Sequence, residues 1–184
     1  MTDDELVRRA QAGDATAFDQ LVDRHQAAVY RAALAALRIP EDAEEAAQDA
    51  LVRAWTKLAS FRGDASFRTW LLSIAWNRAI SRRRSVTAWF SRRAPVEAAD
   101  GVAAGVSPHQ SMQGGELARH ATQAIDALSP KLRDTLLLAQ AGEYGYDEVA
   151  AMLKVPVGTV KWRVSEARRQ VRQRLVRLGY LNGD

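Results

Sequence analysis

The chain contains no cysteine. Disulfides, thiolate metal sites and thiol redox sensing are therefore excluded for it. Its histidines, His25, His109 and His120, lie far apart with no metal-like spacing, and they read as structural or solvated. There is no Gly-rich phosphate loop and no nucleophile motif. Carboxylates are plentiful, but they fall on outward helix faces without sign of a pocket. No catalytic residue, metal or cofactor is expected, and the chain does not read as an enzyme. It also lacks any run of about 18 apolar residues, so no membrane insertion is expected. The first residues, Met1-Thr2-Asp3-Asp4-Glu5, are acidic and lack the apolar stretch of a signal peptide, which points to a cytoplasmic protein. Period-two alternation, the mark of a half-buried strand, is missing as well.

What is present is helical pattern and segregated charge. The chain has 184 residues, 47% of them hydrophobic, enough for one medium domain or two small ones. The net charge of +4 hides four blocks. Residues 1–60 carry 7 basic and 11 acidic groups, and residues 61–93 carry 8 basic and 1 acidic. Residues 94–153 carry 3 basic and 8 acidic, and residues 154–184 carry 8 basic and 2 acidic. One basic block is as well explained by a solvated helix face as by a ligand. Two separate ones, each on an expected helix, point to a polyanion, and nucleic acid above all.

Helical spacing runs through most of the chain. Thr2 and Glu5 have the spacing of a capping box, and Gly13 stops the short first helix. Asp14 caps a second, with Phe18, Leu21, Val22, His25, Val29 and Leu37 at helical intervals. Pro40 breaks that run. Asp42 and Glu45 repeat the capping-box spacing ahead of an apolar face of Ala43, Ala46, Ala47, Ala50, Leu51, Ala54, Trp55 and Leu58. After the turn Phe61-Arg62-Gly63-Asp64, a helix is expected from about Ser66 to Arg84, with Phe67, Trp70, Leu71 and Ile74 inward. Residues 94–115 are rich in Ala, Gly, Ser and Pro and read as a flexible linker, spanning roughly 25 Å on average. Helical spacing resumes at Glu116. The expected architecture is all-α: two small helical domains, 1–93 and 116–184, joined by the linker 94–115.

The most informative segment is Tyr146 to Val164. A short helix with Val149, Ala150 and Leu153 inward meets a tight turn at Lys154-Val155, and a second helix starts near Pro156. Ala150 is small enough for two helices to cross closely. This is helix-turn-helix patterning. At about 100° per residue, Val160, Val164, Ala167 and Val171 of the second helix fall on one side, opposite Gly158, Trp162, Ser165 and Arg169. A basic, polar outer face of this kind fits the DNA major groove.

Three segments together resemble one family. Asp126-Ala127-Leu128-Ser129-Pro130-Lys131-Leu132-Arg133, Val157-Gly158-Thr159-Val160-Lys161 and Ala167-Arg168-Arg169 resemble the −35-reading domain of the bacterial RNA polymerase sigma factors of the extracytoplasmic-function (ECF) type. Asp42-Ala43-Glu44-Glu45, Gln48-Asp49-Ala50 and Arg53-Ala54-Trp55 look like their polymerase-binding helix. Phe61 to Leu71, then Ile74-Ala75 and Asn77, look like their promoter-melting, −10-reading segment. The resemblance covers both expected domains in family order. It implies a factor that binds core RNA polymerase, brings it to promoter DNA, helps to open the duplex, and is held inactive by an anti-sigma factor.

The resemblance also implies residue roles. Asp42, Glu45, Gln48, Asp49 and Arg53 would meet polymerase. Arg68, Asn77, Arg82 and Arg83 would meet the −10 region, Asn77 near a flipped-base pocket; Trp76, where the family more often carries a basic or small residue, joins them on its helical angle, nearly opposite Phe67 and Leu71 and close to Arg83. Trp76 would either stack an unpaired base or pack beneath a neighbouring helix. In the last helix, Lys161, Trp162 and Ser165 are candidates for base edges. Thr159, Arg163 and Arg168 are candidates for backbone anchoring. This sequence departs from the family's usual pattern at Lys154, where Gly is common in the turn, and at Trp162 and Ser165-Glu166 on the reading face. A positive φ at Lys154 would carry strain of order 1 kcal/mol. Glu166 would either accept from a cytosine or pair with a nearby Arg, the second being preferred. The competing reading is a helix-turn-helix regulator without promoter-opening activity.

Overall fold

A computed structural model describes residues 1–93, 112–142 and 144–181, with side chains for 1–85, 115–142 and 144–181. The helices are α1 (Asp3–Gln11), α2 (Ala15–Leu37), α3 (Pro40–Lys57), α4 (Phe67–Arg93), α5 (Met112–Asp126), α6 (Pro130–Gln140), α7 (Tyr146–Leu153) and α8 (Val157–Arg177), with a 3-10 turn at Leu58–Ser60. No strand occurs among the described residues. Of the expected linker, residues 94–111 lie outside the described residues, and 112–115 form the first turn of α5.

Local chemistry sets the first boundaries. Glu5 accepts from the Thr2 backbone at 2.8 Å while Thr2 Oγ1 accepts from the Glu5 backbone at 3.3 Å, a reciprocal cap on α1. Gly13 at φ 98° lets the chain reverse. Asp14 then caps α2, accepting from the backbones of Thr16 and Ala17. The expected cap at Asp42 and Glu45 does not form. Pro40 opens α3 three residues earlier, and Ile39 stands at its N-cap without a side-chain bond. Pro is suited to a helix's first turn because it has no N–H to leave unpaired. Asp42 and Glu45 thus lie inside α3, free to bond elsewhere.

The N-terminal core is made of small residues. Ala28, Ala32, Ala33 and Ala36 of α2 and Ala43, Ala46, Ala47, Ala50 and Ala54 of α3 are buried. A helix surface paved with methyl groups permits close approach of backbones, and α2, α3 and α4 pack mutually. An aromatic cluster closes one end: Phe61 meets Trp70 at 5.0 Å and Phe67 edge-on at 6.0 Å, with His25 against Phe67. His25 also meets Asp3 at 2.7 Å, a structural role. Gln11 ties α1 to the turn that starts this cluster, donating to the carbonyls of Leu58 and Phe61, both at 3.0 Å.

In the C-terminal half, α8 is the spine and α5, α6 and α7 pack on it. Leu132, Leu136 and Leu138 of α6, Val149 and Met152 of α7, and Val160, Val164 and Ala167 of α8 are buried. The halves are themselves in contact, α4 with α7 and α2 with α6, and one apolar cluster runs through both.

Among the described residues two non-glycines adopt the left-handed conformation, Arg38 at φ 60° after α2 and Lys154 at φ 55° after α7. An L side chain there costs roughly 1–2 kcal/mol. Lys154→Gly should relieve most of that cost, partly offset by the greater freedom glycine gives the unfolded chain. The expected outcome is a thermal midpoint higher by roughly 2 °C, checked by calorimetry. A lower midpoint would mean that the lysine makes a compensating contact.

Candidate functional surfaces

The helix-turn-helix has a firm scaffold and an open reading face. Lys154 ends α7 in the left-handed conformation, and the Val155 backbone donates to the Ala150 carbonyl at 3.0 Å. Pro156 is the N-cap of α8. Val160, Val164 and Ala167 anchor one side of α8, so the opposite side is free. Lys161, Trp162, Ser165 and Arg168 are exposed, and Thr159 and Arg163 are half-buried. Trp162 is 63% exposed although a large indole ordinarily seeks cover. Glu166 bonds Arg169 through both oxygens, at 2.6 and 2.8 Å, and also Gln170. The Arg169 hydrogen bonds, then Gln170, hold its carboxyl down to about 2. Of the two roles open to Glu166, the structure shows the pairing with an arginine.

On α3 the exposed side has an apolar centre. Val52 is 65% exposed and Trp55 is 42% exposed, its ring leaning on Phe18 at 4.9 Å. Trp55 was expected on the buried face; α3 buries its alanines and leaves the larger ring at the margin. Gln48 and Arg53 are exposed nearby. The acidic candidates already have partners. Arg82 donates to Asp42 at 2.8 Å and Glu45 at 2.7 Å, and Arg78 donates to Asp49 at 2.7 Å. The bond to Glu45, ahead of that to Asp42, makes the Arg82 guanidinium still harder to deprotonate. Val52 was missed because the sequence reading sought charge on this face. The signal was its angle, about 180° from Ala43 at 100° per residue.

On α4 the expected −10 residues separate. Asn77 is exposed. Arg68 pairs with Glu148 of α7 at 2.6 Å, and Arg83 pairs with Asp134 of α6. Trp76 is 2% exposed, so the base-stacking expectation is corrected in favour of packing. At 100° per residue Leu72 and Ala79 fall between Arg68 and Arg83, and Trp76 lies about 20° beyond Arg83; both arginines reach the C-terminal helices. An indole on a covered stripe contributes its large apolar area to packing. Among the described residues no three possible ligands gather as a metal site, and no helix is long and apolar enough to cross a membrane.

Comparison with known proteins decides the family. The model of Sigma-70 region 2 matches residues 21–90, and that of Sigma-70 region 4 matches residues 120–171. The chain is 34% identical to the ECF RNA polymerase sigma-E factor of Escherichia coli, over 93% of each chain. It belongs to the ECF sigma factors. It is also 33% identical to the RNA polymerase sigma-H factor of Pseudomonas aeruginosa, over 92% of this chain and 91% of the relative. Two solved structures are similar. CnrH in complex with the cytosolic domain of CnrY superposes with a TM-score of 0.65 at 28% identity, covering 94% of this chain and 96% of that one. The sigma factor RpoE in complex with the anti-sigma factor NepR, from Bartonella quintana, gives 0.60 at 27% identity, covering 86% and 96%. As a sigma factor the chain directs RNA polymerase to promoters. The regulator without promoter opening is not favoured, because the match includes the N-terminal helices as well as the helix-turn-helix. The family consists of initiation factors that are not themselves enzymes.

Proposed function

We propose that this sigma factor divides its work among three surfaces. The outward face of α3, centred on Val52 with Gln48, Glu45, Asp49 and Arg53 around it, docks core RNA polymerase. An apolar centre inside a polar rim is the usual anatomy of a protein interface. The α4 face holding Asn77, with Arg68, Arg82 and Arg83, serves the −10 region and the opened strands. The outer face of α8 reads the −35 duplex: Lys161, Trp162 and Ser165 toward base edges, Thr159, Arg163 and Arg168 toward phosphate. The domains are taken as 1–93 and 116–184. The protein works in the cytoplasm, without a cofactor or turnover of its own. Its partners are core polymerase, promoter DNA and an anti-sigma factor, the last as the similar sigma factor RpoE solved with the anti-sigma factor NepR suggests.

The observation that carries this reading is the exposed, basic α8 face with Trp162 at its centre, set on a buried scaffold. Holoenzyme assembled from this chain and sigma-free core should render promoter thymines near −10 reactive to permanganate, whereas the chain alone should not. Equal reactivity without core would overturn it. Arg168→Ala should weaken holoenzyme binding to every promoter alike and lower the slope of log affinity against log salt by about one unit. An unchanged slope would remove Arg168 from the phosphate contacts.

A further inference from the structure

Arg169 lies on the midline of the outer face of α8. At about 100° per residue it is about 180° from the buried Val160 and about 20° from Trp162. Its side chain is 56% exposed. The arginines suited to phosphate lie on the flanks, Arg168 at about 80° from Val160 and Arg163 at about 60° the other way. In the major groove the midline of a helix faces base edges, and its flanks face the phosphates of the groove walls. Arg169 thus stands where a side chain meets bases.

Its pairing with Glu166 sets the direction of the guanidinium as well as balancing its charge. Arg169 Nε donates to Glu166 Oε2 at 2.8 Å, and Nη2 donates to Oε1 at 2.6 Å. The carboxylate is held in its turn, because Gln170 Nε2 donates to Oε1 at 2.7 Å. The Arg169 bonds, then that of Gln170, keep the Glu166 carboxyl at about 2, so it is ionised at neutral pH. A guanidinium presents its N–H donors as a rigid planar fork. Glu166 occupies the side of the fork formed by Nε and Nη2. The end of the fork stays open, with an N–H of Nη1 and an N–H of Nη2 pointing forward side by side. That parallel pair matches O6 and N7 of guanine. An untethered arginine loses side-chain freedom on reaching a base, whereas here the carboxylate restricts it beforehand.

We propose that Arg169 reads a guanine of the −35 element through the open end of its guanidinium, with Glu166 behind it as a positioning residue. At 1.5 Å of rise per residue, Arg169 stands roughly 10 Å further along α8 than Trp162. The two side chains therefore serve different base pairs. A bare carboxylate on this face would be repelled by phosphate. Paired with Arg169, Glu166 is neutralised and aims the arginine instead. This role for Arg169 rests on the reading of the −35 duplex by α8.

The test uses holoenzyme of the full chain with core polymerase on promoters carrying a randomised −35 element. Sequencing of the transcripts gives the base preference at each position. The parent should favour guanine, on one strand, at the position that Arg169 serves. Arg169→Lys keeps the charge and loses the fork. It should lower that preference about tenfold and leave the salt dependence of binding as it was. Arg169 is exposed, so helix content by far-UV circular dichroism should not change. Glu166→Gln should lower the same preference about threefold, by releasing the fork. Added to Arg169→Lys, it should have no further effect, because nothing is left to position. Additive effects, or a Glu166→Gln change at another position, would overturn the positioning role and leave Glu166 as a base contact of its own. Preferences unchanged by Arg169→Lys, or a uniform loss on all sequences, would overturn the guanine contact. Trp162→Ala in the same selection separates two failures. If it shifts preference at its own position while the Arg169 variant shifts none, the Arg169 contact alone fails. If no variant shifts any position, reading by α8 fails with it.

Discussion

Val52→Asp should reduce capture of core RNA polymerase by about 30-fold or more, the scale of losing a central interface anchor at 2 kcal/mol or above. Val52 is 65% exposed and contributes little to the folded core, so helix content and thermal midpoint should hold. The acidic neighbours make poorer tests. Charge reversal at Glu45 would set a second cation beside Arg82, and reversal at Asp49 would do the same beside Arg78. A loss of binding there would mix docking with disturbance of the α3–α4 contact. Val52 has no such entanglement. Equilibrium titration of a fluorescently labelled chain with core gives the affinity directly. Binding within twofold of the parent would move the dock off this face.

Trp162→Ala should change which −35 sequences are used and leave core binding alone. A good base contact discriminates by about 1–3 kcal/mol, so preference at one position of the element should alter by about tenfold. The indole carries no charge, so the salt slope should stay as it was, in contrast to Arg168→Ala. Promoter selection from a randomised −35 library, read by sequencing of the transcripts, separates these effects. Equal loss on all sequences would make Trp162 a general packing surface against DNA.

The two variants also show what the sequence disclosed. Helix order, the Thr2–Glu5 cap and the faces of α8 follow from spacing and local chemistry, and all act within a few residues. The start of α3 did not follow, because Asp42 and Glu45 have capping-box spacing while Pro40 begins the helix sooner. The choice between the two roles of Trp76 stayed open for another reason. Helical angle separates the faces of α4, but it does not say that two faces are covered. The second cover comes through pairs such as Arg38–Asp126 and Arg68–Glu148, which lie 88 and 80 residues apart. No local signal encodes contacts at that range.

The same contacts alter the meaning of the basic residues. Arg82 is held within its own half by Asp42 and Glu45, whereas Arg68 and Arg83 cross to the other half. Arg82 thus joins α4 to α3.

The most direct measurement of the central claim is transcription in vitro from a library of genomic fragments, using this chain with sigma-free core polymerase and mapping the start sites. The account predicts a discrete set of starts that share −10 and −35 elements, present with the parent chain and lost with Val52→Asp. Starts no different from those of core alone, together with no complex between chain and core, would contradict it.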